Sequence, residues 1–262
     1  IYILLFLKNL YNAFKMKKIG FIPARYASTR LPGKALKKIG SLPMFVHVYK
    51  RAEMSNLDEV YVLTDHEKII KEAEKFNINA ILTRSQHENG TSRCVEGLDK
   101  VKCSENDLFL NIQGDEPLVE PRLINKMIKG FNVDKHEILV SITKSLEKNN
   151  KNTVKVVFTE NKRLLYLSRN DIPSNSDNFH FITKGLSVFS YSALKKYKNI
   201  KISQLEKKEN HELLRCIENG VKIYGQEIPN YGSSVDTNSD LLEVRKIITK
   251  NTIYKKYSVE FL

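Results

Sequence analysis

Three short stretches gather residue types that handle phosphate and metal. The first is GFIPARYASTRLPGKAL, residues 20–36, with Arg25, Arg30 and Lys34 on a polar stretch after an apolar run. Turn N–H groups together with three cations can cradle a polyphosphate. The alternative is a solvated basic loop. The patterns G-x-x-x-x-G-K-[ST] and G-x-G-x-x-G are both absent, so neither a Walker A loop nor a dinucleotide fingerprint is present. The second stretch is NIQGDEP, residues 111–117, in which an apolar run delivers Gln113 and Asp115 to its end. Gly114 between them is expected to let the backbone approach a ligand. A carboxylate there suits Mg²⁺, an oxygen-seeking cation that keeps substrate phosphates in its shell. It suits a turn cap equally well. The third is SSVDTNSD, residues 233–240, where Asp236 reads locally as a helix N-cap. It gains interest only as a second metal carboxylate beside Asp115.

Other residues offer less. His87, His180 and His211 have no zinc-ligand spacing, and His66 reads as a loop residue. Ser28 and Ser168 lack a G-x-S-x-G context.

These stretches need strands to carry them. KIGFIPA, EVYVLTD, NAILTR, DLFLNI and EILVSIT read as short strands, and amphipathic helical patterns separate them. Near-continuous apolar strands alternating with helices predict an α/β fold: a mostly parallel, Rossmann-like sheet covered by helices on both faces. Ligands of such sheets bind at the carboxyl ends of the strands, where the three stretches are expected to map. TVKVVFTE, RLLYLSR and KGLSVFSY follow with little helix between them. They predict a β-rich insertion near residues 151–200, serving as a lid or dimer contact within a single domain spanning 16–255. SQLEKKENHELLRCIENG reads as one helix ending at Gly220, and a last helix opens at Asp236 or Thr237.

Composition narrows the class. The chain has 262 residues, 41% hydrophobic and 28% charged, within the range of soluble globular proteins. Its formal net charge of +13 is spread over the whole length, without an aromatic-interleaved basic block. That speaks against a nucleic-acid groove. Three cysteines, an odd number without a CxxC, predict reduced thiols and a cytoplasmic location. The opening IYILLFL is too short to span a membrane and lacks the parts of a signal peptide. Met16 directly precedes the first strand, so residues 1–15 are expected to be an N-terminal extension outside the fold.

The blocks IPARYASTRLPGK (22–34), TDH (64–66), GTSR (90–93), NIQGDEP (111–117), LYLSR (165–169), LEKKENHELLR (205–215) and VDTNSDL (235–241) together resemble the CMP-Kdo synthetases, the 3-deoxy-manno-octulosonate cytidylyltransferases. The resemblance covers roughly residues 17–250. It implies transfer of CMP from CTP to the anomeric hydroxyl of a 3-deoxy-ulosonic acid, with Mg²⁺, in a homodimer. It implies catalytic roles for Arg25, Lys34 and Asp115. Ala24, Arg25, Arg30, Lys34 and Gln113 would hold the nucleotide, Arg169 and Glu212 the sugar, and Asp115 and Asp236 the metal.

The chain departs from the family's pattern at the sugar. Gly185 and Phe189 stand at the His and Tyr of His-x-Gly-x-Tyr, and Leu213 stands at the Gln of Glu-Gln-Leu-Arg. Gly185 is expected to leave room where an imidazole would stand. The alternatives are therefore a CMP-activating enzyme for a different acidic sugar and a nucleotide-sugar sensing protein without catalysis.

Overall fold

The computed structural model describes residues 16–175, 179–232 and 234–259. The expected extension at residues 1–15 lies outside the described residues. Eleven strands and nine α-helices are described: β1 (Lys18–Pro23), β2 (Lys38–Ile39), β3 (Leu42–Pro43), α1 (Met44–Glu53), β4 (Glu59–Thr64), α2 (Glu67–Glu74), β5 (Ala80–Leu82), α3 (Gly90–Leu98), β6 (Leu108–Ile112), α4 (Pro121–Gly130) and β7 (Ile138–Ser145), followed by β8 (Lys155–Phe158), β9 (Leu164–Ser168), β10 (His180–Ser190), α5 (Tyr191–Asn199), α6 (Gln204–Glu209), α7 (Leu213–Glu218), β11 (Ile223–Glu227), α8 (Asn238–Ile248) and α9 (Thr252–Ser258).

The main sheet runs β11-β7-β10-β6-β1-β4-β5. β1 pairs in parallel with β4 and β6, β4 with β5, and β7 with β11. Both faces are covered, which is why these strands are apolar throughout. Ile19 and Phe21 of β1 pack into one buried layer with α3 and α5, and Ile22 into the other with α1 and α4. The mostly parallel α/β architecture read from the alternating pattern is present.

Three local expectations change. KGLSVFSY does not stay with the other β-rich runs but forms β10, which inserts antiparallel between β6 and β7. Its neighbours β8 and β9 form the expected antiparallel hairpin, which joins the sheet through β10. The single helix expected over residues 203–220 breaks into α6 and α7, because Asn210 takes a left-handed conformation at φ 50° and ends the first. Asn is among the few non-glycine residues that accept this region readily. A further helix, α9, follows the last one expected.

α9 is docked through buried polar groups. His47 on α1 is fully buried between the Ile39 carbonyl at 2.7 Å and the Tyr257 hydroxyl at 2.7 Å. A carbonyl only accepts, so Nε2 carries the hydrogen and Nδ1 accepts from Tyr257. Arg51, also fully buried, donates to Tyr257, to Asn251 and to the Leu118 and Val119 carbonyls. Burial, reinforced by the nearby Arg51 charge, lowers the His47 pKa to about 4.

This depressed pKa links stability to pH. The imidazole binds a proton more readily unfolded than folded, so its contribution is complete above about pH 6.5 and is lost as pH falls toward 4. Over that window the loss is of the order of 3 kcal/mol. Thermal unfolding between pH 7 and pH 4 is expected to show a shallower pH dependence in His47→Gln than in the wild type. Parallel curves for the two proteins would contradict this account.

Candidate active site

The sheet's carboxyl edge holds two adjoining cavities of about 330 and 680 Å³. The smaller is lined by Ala24, Arg25, Arg30, Lys34, Gln113 and Asp115, among others, and both are bordered by Arg169, Glu212 and Asp236. Residues far apart in sequence are thus brought to one place.

The first loop is pinned from several sides. The Ala24 amide donates to the Leu63 carbonyl at 2.8 Å, and the Tyr26 amide to Asp65 Oδ1 at 2.9 Å. Asp65 is itself held by the buried guanidinium of Arg93 at 3.2 Å. Leu31 is buried against Val235, Leu241 and Val244, so the loop is anchored on α8. Gly33 turns the chain at φ 65°, a left-handed conformation natural to glycine, and leads into a short 3₁₀ turn, Lys34–Leu36.

Lys34 is the hub. Its Nζ lies 2.6 Å from Asp115 Oδ2 and 3.1 Å from Asp236 Oδ1, and Arg30 Nη2 lies 3.0 Å from the same Asp236 oxygen. Burial works against the ammonium, yet the two carboxylates outweigh it and hold the Lys34 pKa above its ordinary value. The capping readings for both aspartates give way here. Thr237 is the N-cap of α8, in a capping box with Asp240, whose Oδ2 also takes the Asp236 amide at 2.9 Å. The Asp236 side chain is left to face the cavity. The Val235 amide donates to the Asp115 carbonyl at 2.9 Å and fastens the two acidic loops together.

Gly114 lines the smaller cavity and also meets a close neighbour within the chain. A Cβ there would stand 2.5 Å from the Pro23 carbonyl oxygen, so the close approach is between two strand ends of the protein itself.

Two oxygens that already meet at one cationic atom form a donor pair suited to a hard divalent cation. Among the described residues there is no cluster of three or more His, Cys, Asp or Glu able to hold a metal. Asp115 and Asp236 would therefore supply part of a coordination shell that phosphate and water complete, as Mg²⁺ commonly accepts.

Arg169 closes the far side. Its Nε, Nη1 and Nη2 donate to the Glu209, Asn152 and Asn210 carbonyls at 3.3, 2.9 and 3.1 Å. Among the described residues, three of its five N–H donors find partners. Burial is the largest cause lowering its pKa. Glu212 accepts from the Thr91 hydroxyl at 2.9 Å. The break at Asn210 puts Glu212 immediately before α7, bordering both cavities.

Gly185 does not leave the expected gap. The Glu116 carboxyl fills it: Oε1 accepts from the Gly185 amide at 3.0 Å, and the Tyr231 hydroxyl donates to Oε2. A Cβ at Gly185 would collide with that carboxyl. Burial raises the Glu116 pKa above its ordinary value, with Lys184 and Tyr231 partly offsetting it. Phe189 and Leu213 are 1% and 4% exposed and belong to the apolar layer around α5 and α7. All three positions border the larger cavity, where Glu116 occupies the space beside Gly185 and Phe189 and Leu213 present apolar walls. Thr91, Asn111, Glu116 and Tyr231 were not singled out by sequence. The available signal was alternation in NIQGDEP, which sets Asn111 on the same strand face as Gln113.

An α/β fold with cations and paired carboxylates at its carboxyl edge suits the handling of a nucleoside triphosphate, and the chain's relatives are nucleotidyltransferases. Residues 19–223 match the cytidylyltransferase family. The chain belongs to that family. It is 40% identical over 245 residues, 91% of this chain and 99% of the relative, to a 3-deoxy-manno-octulosonate cytidylyltransferase of Fusobacterium nucleatum subsp. nucleatum. It superimposes with a TM-score of 0.84 and 34% identity on CMP:2-keto-3-deoxy-manno-octonic acid synthetase complexed with CTP, covering 89% of this chain and 99% of that one. A cytidylyltransferase from Leptospira borgpetersenii, 20% identical with a TM-score of 0.59 over 92% and 97% of the two chains, shares the fold.

The contact at Gly185 is open to test. Gly185→Ala is expected to cost about 1–3 kcal/mol by overpacking. The same substitution made in Glu116→Ala should cost less, because the colliding carboxyl is gone. Denaturant unfolding of the four proteins measures the coupling, and strictly additive costs would refute the contact.

Proposed function

We propose that this protein transfers CMP from CTP to the anomeric hydroxyl of 3-deoxy-manno-octulosonate and releases pyrophosphate. The observation that carries the proposal is the convergence of Lys34, Arg30, Asp115 and Asp236 at the mouth of the smaller cavity. Relatives named for this activity match almost the whole chain. Arg25, Arg30 and Lys34 would bind the triphosphate, with Ala24, Arg25 and Gln113 beside the nucleoside. Arg169 would pair with the acceptor's carboxylate, and Glu212 would accept from its hydroxyls.

The acceptor hydroxyl attacks the α-phosphorus of CTP in line, and the bond to pyrophosphate breaks. Catalysis of this kind is mostly positioning and charge neutralisation. Lys34 would exchange its carboxylate partners for phosphate oxygens and, with Arg25, offset charge developing on the leaving group. We assign Asp115 and Asp236 to Mg²⁺, which when bound polarises phosphate oxygens and acidifies a coordinated hydroxyl.

Three free cysteines support a reducing, cytoplasmic compartment. Among the described residues no helix is long and apolar enough to cross a membrane. A homodimer through the insertion belongs to the same reading, with exposed apolar side chains in or beside it at Leu146, Leu165 and Phe179. The reading with a modified sugar loses its main support, since the gap it needs at Gly185 is filled. Retention of both carboxylates at the cation cluster speaks against a sensor without catalysis.

Pyrophosphate release with CTP, Mg²⁺ and Kdo tests the reading. Asp115→Asn is expected to keep the fold and lower turnover by about 10²-fold or more. Wild-type turnover in that variant at saturating CTP would remove Asp115 from the machinery. CTP should be used well ahead of ATP and GTP, and equal rates with all three would reject the assigned nucleotide.

A further inference from the structure

The larger cavity has a polar floor of its own. Asn111 on β6 stands opposite Ser187 on β10, and Val140 on β7 comes next in the same row. Side chains in register across neighbouring strands share one face. Asn111 is 4% exposed, and its Oδ1 has no hydrogen-bond partner among the described residues. A buried amide oxygen left without a partner is rare and costly.

The hydrogen-bond chain fixes which end of the amide is left over. Thr91 has one hydroxyl hydrogen, and it goes to Glu212 Oε1 at 2.9 Å. A carboxylate has no hydrogen to return, so Thr91 Oγ1 can serve Asn111 only as an acceptor. Asn111 Nδ2 therefore faces it, at 3.4 Å, and Oδ1 is the end without a partner. All three residues border the larger cavity, next to Arg169.

We propose that Asn111 Oδ1 is a specificity-determining contact for the acceptor sugar, taking a hydrogen bond from a hydroxyl on the sugar's tail. Thr91 is a positioning residue that orients both Asn111 and Glu212. This proposal rests on the cytidylyl-transfer reading. The contact supplies polar recognition that the buried Phe189 and Leu213 cannot. A site that leaves a buried acceptor waiting discriminates strongly against an analogue lacking the donor.

The test is steady-state kinetics on the full chain with CTP, Mg²⁺ and Kdo, alongside Kdo analogues deoxygenated at each tail hydroxyl in turn. Asn111→Ala is expected to raise KM for Kdo about tenfold while KM for CTP stays within about twofold. Thr91→Val should move KM for Kdo in the same direction. One deoxy analogue should lose a similar factor with the wild type and nothing further with Asn111→Ala. Asn111→Ser provides the same comparison if the alanine variant does not fold. An unchanged KM for Kdo in a folded Asn111 variant overturns the inference, as does an equal rise for both substrates. Absence of pyrophosphate release by the wild type with Kdo and other ulosonic acids instead overturns the cytidylyl-transfer reading. Calorimetric titration of Kdo into the wild type and the Asn111 variants then judges the contact on binding alone.

Discussion

One ammonium holds the site together. Lys34 sits on the first loop, Asp115 at the end of β6 and Asp236 ahead of α8, and each arrives by a different route through the fold. Like charges brought close repel, and a cation between them removes the penalty. Around this triad the rest of the edge is assembled: Arg30 shares the Asp236 oxygen, and Val235 ties its backbone to Asp115. The apolar contact of Leu31 with α8 supports the same arrangement from below. The electrostatic cluster and the small hydrophobic cluster thus fix the same two loops relative to each other.

The division between polar and apolar duties recurs on the insertion side. Glu209 holds Arg169 by its backbone amide at 2.7 Å and also takes the Ser168 hydroxyl, so the end of β9 is fastened to α6 before any ligand is considered. Lys155, fully buried, donates to the Arg169 carbonyl at 3.0 Å from the opposite direction. A guanidinium whose backbone is held at two points and whose own donors are partly used keeps a narrow range of positions. Preorganisation of that kind is what a positioning mechanism requires.

Much of this was legible in the chain. The apolar strands, the cationic first loop and the acidic turn of NIQGDEP announce themselves through residue type and position. The fate of Asp236 was not legible, because an aspartate before a helix reads first as a cap. Asp240 satisfies the amides of Asp236 and Thr237 and leaves the Asp236 side chain to pair with Lys34 and Arg30. The break at Asn210 was hidden because residues on both sides favour helix, and a left-handed asparagine leaves no pattern in hydrophobic spacing. Gly185 misled because a missing side chain implies space only if no neighbour enters it. Glu116, 69 positions away in sequence, does enter it.

The path of β10 has a consequence for how such a protein can change. The chain leaves the sheet after β7, forms the β8–β9 hairpin, and returns through β10 between β7 and β6. The return strand is interior, so the hairpin is no cassette clipped to a finished scaffold. Its inward side chains, Val156, Leu164 and Leu167, are tied to the buried layer around α5 and α7, and only outward positions such as Leu165 are free to drift. Where the chain re-enters the sheet, each residue is answerable at once to two neighbouring strands, a buried layer and a substrate-facing cavity. Variation in what the protein accepts therefore has its easiest route through the loops at the cavity rim, while the strand that forms the cavity floor stays under constraint from the whole architecture.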